Sequence, residues 1–449
     1  MNIRRLKPGA FVELECKHFV SEGLGLSYFA DEAMKERFKP HVFFIWGVLP
    51  GERFAARLAK VKSKVAHGIL ARRDELPAEF AEARYEHGEW ALASVSPDRV
   101  KPQCENFLRC GGCKMQHMSY DDSLQHKLAW LKNQLQHHKV ETETIEVDRA
   151  PDAELLHYRN HVQVHINKFG VYGFYEPISY RTRAFPGHGC LIFDEKSLRD
   201  HFPKFPVEVR TARIRRNTDG RAVFTVINSK AESATNMLYS VAWPPGRSTE
   251  IEFPVTQFFQ VNLRLLPRWL GAMADYLSPF AAAAGPQKLR VLELFSGFGF
   301  ISRMLAQRFE LDILAADLLK REEVERVVIK SPTGNLLTAD FARHYHRVDL
   351  FLPEKISAEF LSAVHAYRPD VLLVNPPRAG LQQETWTKLR QEALQNFTGP
   401  IVYSSCNAST MARDIGYLTA EGYRVRELKL FDFFPWTHHF ETVALLTKT

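Results

Sequence analysis

The sequence predicts an α/β protein in three parts: a small N-terminal β-barrel, a central segment of mainly β character, and a C-terminal α/β domain with a largely parallel sheet. Three observations carry this expectation. Short apolar runs broken by turn signals fill the stretch from about Pro8 to Val65, and aromatic or β-branched runs recur between Asp148 and Pro254. From Leu289 onward, strand-like runs alternate with segments of helical spacing. A chain of 449 residues has room for two or three packed domains, and 45% hydrophobic residues is ordinary for globular material. No apolar run reaches the roughly 18 residues of a membrane span, and MNIRRLKPG lacks the apolar core of a signal peptide. A cytoplasmic protein without a membrane partner is therefore expected. Its formal charge of +7 favours polyanionic partners.

In the first part, PGAFVELECKHF, SEGLGLSYFA and KPHVFFIWGVLPGERFAARLAKVKSKVA read as barrel strands, with glycines where strands turn or bend. The last strands carry Arg53, Arg57, Lys60, Lys62 and Lys64. Such a face suits the backbone of a nucleic acid, or is simply the solvated side of an edge strand. Cys16, in VELEC, reads as a small hydrophobe.

Three of the six cysteines follow in CENFLRCGGCKMQH, with five residues between Cys104 and Cys110 and two between Cys110 and Cys113. A cytoplasmic setting argues against a disulfide framework. The C-x2-C pair lets two thiolates converge on one centre, Cys104 can fold over as a third ligand, and Cys190 in GHGCLIFD is the distant fourth. All-sulfur ligation suits tetrahedral zinc or an iron–sulfur cluster, and spacing alone does not separate them. A structural or recognition role is expected for the four sulfurs rather than catalysis.

The central runs HVQVHI, GVYGFY, AVFTVI and IEFPV are short and strand-like, VNLRLLPRWLGAMADYL has helical spacing, and AAAAGPQ reads as a loop. Then LRVLELFSGFGF sends an apolar strand into Gly297-x-Gly299 and a helix. There is no G-x-G-x-x-G and no phosphate-binding Lys-Ser/Thr, which weakens the case for dinucleotides or ATP. The next strand, LDILAAD, ends at Asp317, a carboxylate able to accept both ribose hydroxyls. A third ends in VNPPRAG, where two prolines stiffen the turn and present Asn375 and Arg378 at the same sheet edge. Together these positions point to an adenosine-type cofactor, most naturally S-adenosylmethionine.

Cys406, in IVYSSCNASTMARDI, falls at the end of the following strand. A thiolate there would face cofactor and substrate as a nucleophile, although core packing is the plain alternative. Downstream, DFFPWTHHFETVALL places His438, His439 and Glu441 before the final apolar run; Glu441 can act as a base if folding returns this strand end to the pocket.

At this point the chain resembles the S-adenosylmethionine-dependent RNA (uracil-5-)-methyltransferases, most closely the ribosomal RNA branch with a TRAM barrel and a four-cysteine iron–sulfur cluster. The matching stretches are EGLGLSYF, LPGERFAARLAKVK, SPDRVKPQCENFLRCGGCKMQHMSYDDSLQHK with Cys190, FFQVN, LELFSGFG, VNPPRAGL, YSSCNASTMARDI and FPWTHHFET, in family order along nearly the whole chain. The resemblance implies a TRAM-like, OB-like barrel over residues 1–68, a central domain over 69–254 whose Cys104, Cys110, Cys113 and Cys190 hold a [4Fe-4S] cluster rather than zinc, and a Rossmann-like methyltransferase domain over 255–449. It implies that Cys406 adds to uracil C6, that Glu441 removes the C5 proton and that Arg378 organises the pocket. By the same resemblance Gln260, Phe295, Asp317 and Asp349 contact S-adenosylmethionine, alongside Gly297, Gly299 and Asn375 at the strand ends. The implied partner is RNA, 23S ribosomal RNA before transfer RNA, bound by a monomer that turns the target nucleotide out of its stack.

The chain departs from the family pattern at Asn375, where aspartate is usual, and in the glycine loop, where Ser296 and Phe300 replace cysteine and asparagine. These departures bear on how the methyl donor is held. Asn375-Pro376-Pro377 also opens the motif of methyltransferases acting on exocyclic amines, which need no thiol. That activity, or non-catalytic RNA binding or assembly, is the alternative function.

Overall fold

The structure, a computed structural model, describes residues 4–80, 85, 88–177, 179–206, 208–227, 235–331, 334–335 and 338–448. The chain divides into two compact units. One comprises Met1–Trp130, Gln163–Ala212 and Phe434–His438; the other comprises Leu131–Val162, Arg213–Phe433 and His439–Thr449.

The first unit contains the expected barrel. Strands β1 (Phe11–Val20), β2 (Leu24–Phe29), β3 (Val42–Trp46), β4 (Arg53–Val61) and β5 (Val65–Leu70) close in the order β1-β2-β3-β5-β4. Alternation in β1 sends Val12, Leu14 and Cys16 inward, where they pack with Phe43, Ile45, Phe54 and Leu58. Cys16 is fully buried, and a Cβ on Gly25 would lie 2.7 Å from its Sγ, so this thiol is core filler as expected. Lys60, Lys62 and Lys64 are exposed at the end of β4 and just beyond it, while Arg53 and Arg57 lie 3.5 and 3.9 Å from Glu15 and Glu75. Beneath the β3–β4 turn, the buried Glu52 carboxylate accepts from the Leu49 amide at 2.7 Å and from Arg99. A buried carboxylate paired in this way holds the turn without an unsatisfied charge.

The second unit is built on an eight-stranded sheet. Its strands are β6 (Leu289–Leu294), β7 (Leu311–Asp317), β8 (Tyr345–Arg347), β9 (Val371–Val374), β10 (Ile401–Ser405), β11 (Tyr423–Phe431) and β12 (Glu441–Lys448), with the short Glu146–Asp148 strand at one edge. The order is β8-β7-β6-β9-β10-β12-β11 and then Glu146–Asp148; β6 to β10 run parallel and β12 is antiparallel to both neighbours. The order reverses between β6 and β9, the switch point at which doubly wound sheets open a crevice for ligands. Near-continuous burial along β6, β9 and β10 explains why these strands read as apolar runs and not as alternating ones.

The helix α1 (Leu266–Ala284) buries Trp269, Leu270, Met273 and Leu277 at helical spacing. It runs through the alanines that the sequence reading assigned to a loop, since alanine is the strongest helix former, and stops at Gly285 with φ +61°. The glycine loop leads into α2 (Phe300–Leu305), the loop after β9 into α3 (Gln383–Glu392), and β10 into α4 (Ala408–Ala420). No helix among the described residues is long and apolar enough to cross a membrane.

Candidate active site

A cavity of about 500 Å³ opens at the C-terminal ends of β6, β7, β9 and β10. Its wall includes the predicted cofactor positions Gln260, Phe295, Gly297, Asp317, Asp349 and Asn375, and every predicted catalytic one, Arg378, Cys406 and Glu441; Gly299 lies in the same loop but does not line it. Residues more than a hundred positions apart thus share one crevice.

The glycine loop forms its floor. Gly297 and Gly299 take φ of +57° and +76°, and a Cβ on Gly299 would strike the Phe341 ring at 2.1 Å, so only glycine fits there. Phe295 also sits at φ +58°, a strained conformation for a bulky residue. Asp317 secures the loop: one carboxylate oxygen accepts from the Gly297 amide at 2.8 Å, the other from the Leu318 and Leu319 amides at 2.7 and 3.2 Å. Burial nonetheless raises the Asp317 pKa above the usual carboxylate value. Asp349 accepts from the Phe351 amide at 3.1 Å, and the Phe351 ring packs 5.4 Å from Phe295.

The departures from the family pattern also become physical. Phe300 is 8% exposed and meets Phe259 edge-on at 5.2 Å, within a cluster that includes Phe253 and Phe298. An aromatic wall therefore stands where an amide would be usual. Behind it, buried Glu293 accepts from Ser302 at 2.5 Å, and burial pushes its pKa up to about 8.

The reactive end is set by strand pairing. β10 and β12 are antiparallel in the register Ile401↔Leu446 to Ser405↔Thr442, so the next position opposes Cys406 to Glu441. Directly opposed residues of this kind have Cβ atoms about 4.5–5.5 Å apart. The Thr442 hydroxyl donates to the Ser405 carbonyl at 3.0 Å and tightens the pair. Burial raises the Cys406 thiol to about 11; the adjoining Glu441 raises it further and Arg378 opposes the rise. Glu441, 5% exposed, is pushed up to about 8 by burial, again opposed by Arg378. The Arg378 guanidinium donates towards His439 at 3.3 Å from Nε2.

Sequence reasoning missed the residues that hold this arrangement. Asn407 caps α4 by accepting from the Ser409 amide at 3.1 Å, and its Nδ2 donates to the Arg378 carbonyl at 3.0 Å. Asp414, 1% exposed, accepts from the Leu381 amide at 2.6 Å, the Tyr403 hydroxyl at 2.5 Å and the Arg413 guanidinium. A Cβ on Gly380 would fall 2.3 Å from Asp414, which keeps that position glycine. The Asn407 cap was detectable from its place before a helical run; nothing local marked Asp414.

Cys104, Cys110, Cys113 and Cys190 line a second cavity, in the first unit, walled by Phe107, Phe174, Phe185 and Ile192. Burial raises all four thiols, Cys110 to about 12 and Cys190 to about 11, and their mutual proximity contributes. Among the described residues, no group of three or more His, Cys, Asp or Glu is placed to hold a metal ion as the side chains stand.

Residues 274–449 match the tRNA (uracil-5-)-methyltransferase family model. An uncharacterised RNA methyltransferase of Leptospira interrogans is 26% identical, over 90% of this chain and 89% of its own. The 23S rRNA (uracil(1939)-C(5))-methyltransferase of Vibrio campbellii is 26% identical, over 92% of each chain. Among solved structures, the Pyrococcus abyssi tRNA (uracil-54, C5)-methyltransferase in complex with S-adenosyl-L-homocysteine shares the fold, with TM-score 0.61, 18% identity, and coverage of 97% of this chain and 99% of that one.

Proposed function

We propose that the chain, whose residues 274–449 match the tRNA (uracil-5-)-methyltransferase family model, is an S-adenosylmethionine-dependent RNA (uracil-5-)-methyltransferase, and that Cys406 and Glu441 carry its chemistry through a covalent adduct with the target uridine. The observation that supports this most directly is the register that opposes the two side chains across β10 and β12, inside one cavity.

Uracil C5 is a poor carbon nucleophile until C6 is saturated. The Cys406 thiolate forms a bond to C6, and the C5–C6 π pair moves towards C5 and the C4 carbonyl. When bound, S-adenosylmethionine supplies an electrophilic sulfonium methyl that C5 can take. Glu441 then accepts the C5 proton, the C5–C6 double bond re-forms, and the Cys406–C6 bond breaks to regenerate the thiolate. Arg378 favours the anionic forms of both side chains. Gln260, Phe295, Gly297, Asp317, Asp349 and Asn375, with Gly299 shaping the loop, would hold the cofactor; the cavity those six line and the half-buried carboxylate at a strand tip fit an adenosine-bearing ligand.

The substrate we propose is 23S ribosomal RNA, on the strength of the Vibrio relative, the TRAM-like residues 1–68 and a four-cysteine central domain over 69–254 ahead of the catalytic residues 255–449. Four thiols around one apolar cavity, Cys190 buried and Cys104, Cys110 and Cys113 half-buried, fit a [4Fe-4S] cluster, whose positive centre would stabilise the thiolates that burial otherwise protonates. Such a cluster would cross-link the 104–113 loop to Cys190.

The test is incubation with labelled S-adenosylmethionine and unmodified ribosomal or transfer RNA, followed by nucleoside analysis. The expected product is 5-methyluridine from ribosomal RNA, lost in Cys406→Ala. Methylated adenosine or guanosine would instead assign the site to an amine acceptor through Asn375-Pro376-Pro377.

A further inference from the structure

Beside the cysteine cavity, the antiparallel strands His161–Ile166, Tyr172–Tyr175 and Thr182–Ala184 present different chemistry on their two faces. Phe174 and Arg183 line the cysteine cavity. By alternation, Tyr175 points the other way, as does His165 on the neighbouring strand. Gly173 stands opposite His165 in register and offers no side chain, so the Tyr175 ring lies flat on the His165 ring, centroids 3.4 Å apart at 9°. Tyr180 continues the series edge-on to Tyr175 at 6.1 Å and 81°. The outer ring is 72% exposed, Tyr175 is 37% exposed, and at the hairpin tip Phe169 is 78% exposed with the Lys168 ammonium 5.0 Å over it.

Three aromatic rings in series that end in solvent are costly for folding alone, since burial elsewhere would remove the same apolar area from water. The charge around them points to an anion: Lys168 and Arg181 adjoin the rings in sequence, while Arg183, on the cysteine-cavity face, lies 2.9 Å from Glu176, the one carboxylate of residues 163–184. Flat rings with interleaved cations are what unpaired bases on a phosphate backbone stack upon, without demanding a particular sequence.

We propose that the His165–Tyr175–Tyr180 ladder is a stacking platform for unpaired bases of the substrate RNA, other than the base that enters the catalytic cavity. This rests on RNA being the substrate. The cysteine loop supports the platform from behind, because the Gly111 amide donates to the Tyr175 carbonyl at 2.9 Å.

The test uses the full-length protein and a single-stranded RNA carrying 2-aminopurine, whose fluorescence is quenched on stacking. Tyr180→Ala, at an exposed position with little packing to lose, should raise Kd at least about fivefold and remove most of the quenching. Tyr180→Phe should preserve both, and thermal melting checks that each variant is folded. Methylation of uridine by wild-type protein, with binding and quenching unchanged in folded Tyr180→Ala, would overturn the platform and leave the methyltransferase reading standing. Quenching that depends on Tyr180, in a protein that methylates no uridine, would support the platform and sink the catalytic reading.

Discussion

The side chain of Asn407 joins the two loops that carry the reactive groups: its Nδ2 donates to the Arg378 carbonyl at 3.0 Å while its oxygen caps the helix that begins just after Cys406. The thiol and the arginine are therefore set by one amide. Thr410 adds a second bond to the same carbonyl at 3.1 Å.

Asn407→Ala should accordingly cost about 1 kcal/mol in stability, as a lost cap does, and lower kcat for methyl transfer by more than tenfold while changing the affinity for S-adenosylmethionine little. Urea unfolding and steady-state kinetics read the two effects separately. A variant with lost stability and unchanged kcat would show that the Arg378 contact is only structural.

Methyl transfer should accelerate as pH rises through about 8. Burial holds the folded Glu441 pKa near 8, so its carboxylate, the form that can accept a proton, is populated above that value and lost below it. The Cys406 thiol, at about 11, also gains thiolate as pH rises, so the two groups push in the same direction. Single-turnover rates between pH 6 and 9.5 check the sign; a rate that falls across this range contradicts it.

Restoring the family's asparagine at the glycine loop should not restore an ordinary site. Phe300→Asn removes a ring packed edge-on against Phe259 and buries an amide in an aromatic wall, at a cost of at least about 3 kcal/mol. Denaturant midpoints measure it. An unchanged midpoint would mean that Phe300 is incidental to the cavity wall.

Anaerobically purified protein should be brown, with iron and acid-labile sulfide each near about four per chain, and Cys113→Ser should lose most of the colour. Stoichiometric zinc without iron would contradict the cluster assignment.

Much of this architecture was legible because buried strands and glycine turns are local signals. The runs LRVLELF, LDILAAD, DVLLVN and IVYSS became β6, β7, β9 and β10, and the barrel strands alternated as their burial requires. What stayed hidden depends on register and on distant partners. Nothing in SSCN or HHFET says that Cys406 will face Glu441; the antiparallel turn of β12 does that. The strand Tyr423–Phe431 was missed because its exposed Arg424, Arg426 and Glu427 dilute the apolar signal, and Asp414 because its partners lie on other segments.

Intact mass measurement reads the covalent role of Cys406, with Glu441 as proton acceptor, in a single experiment. Glu441→Gln incubated with S-adenosylmethionine and substrate RNA should accumulate a denaturation-resistant protein–RNA adduct carrying one added methyl group, absent when Cys406→Ala is added to the same chain. Turnover to free 5-methyluridine by Cys406→Ala would contradict it.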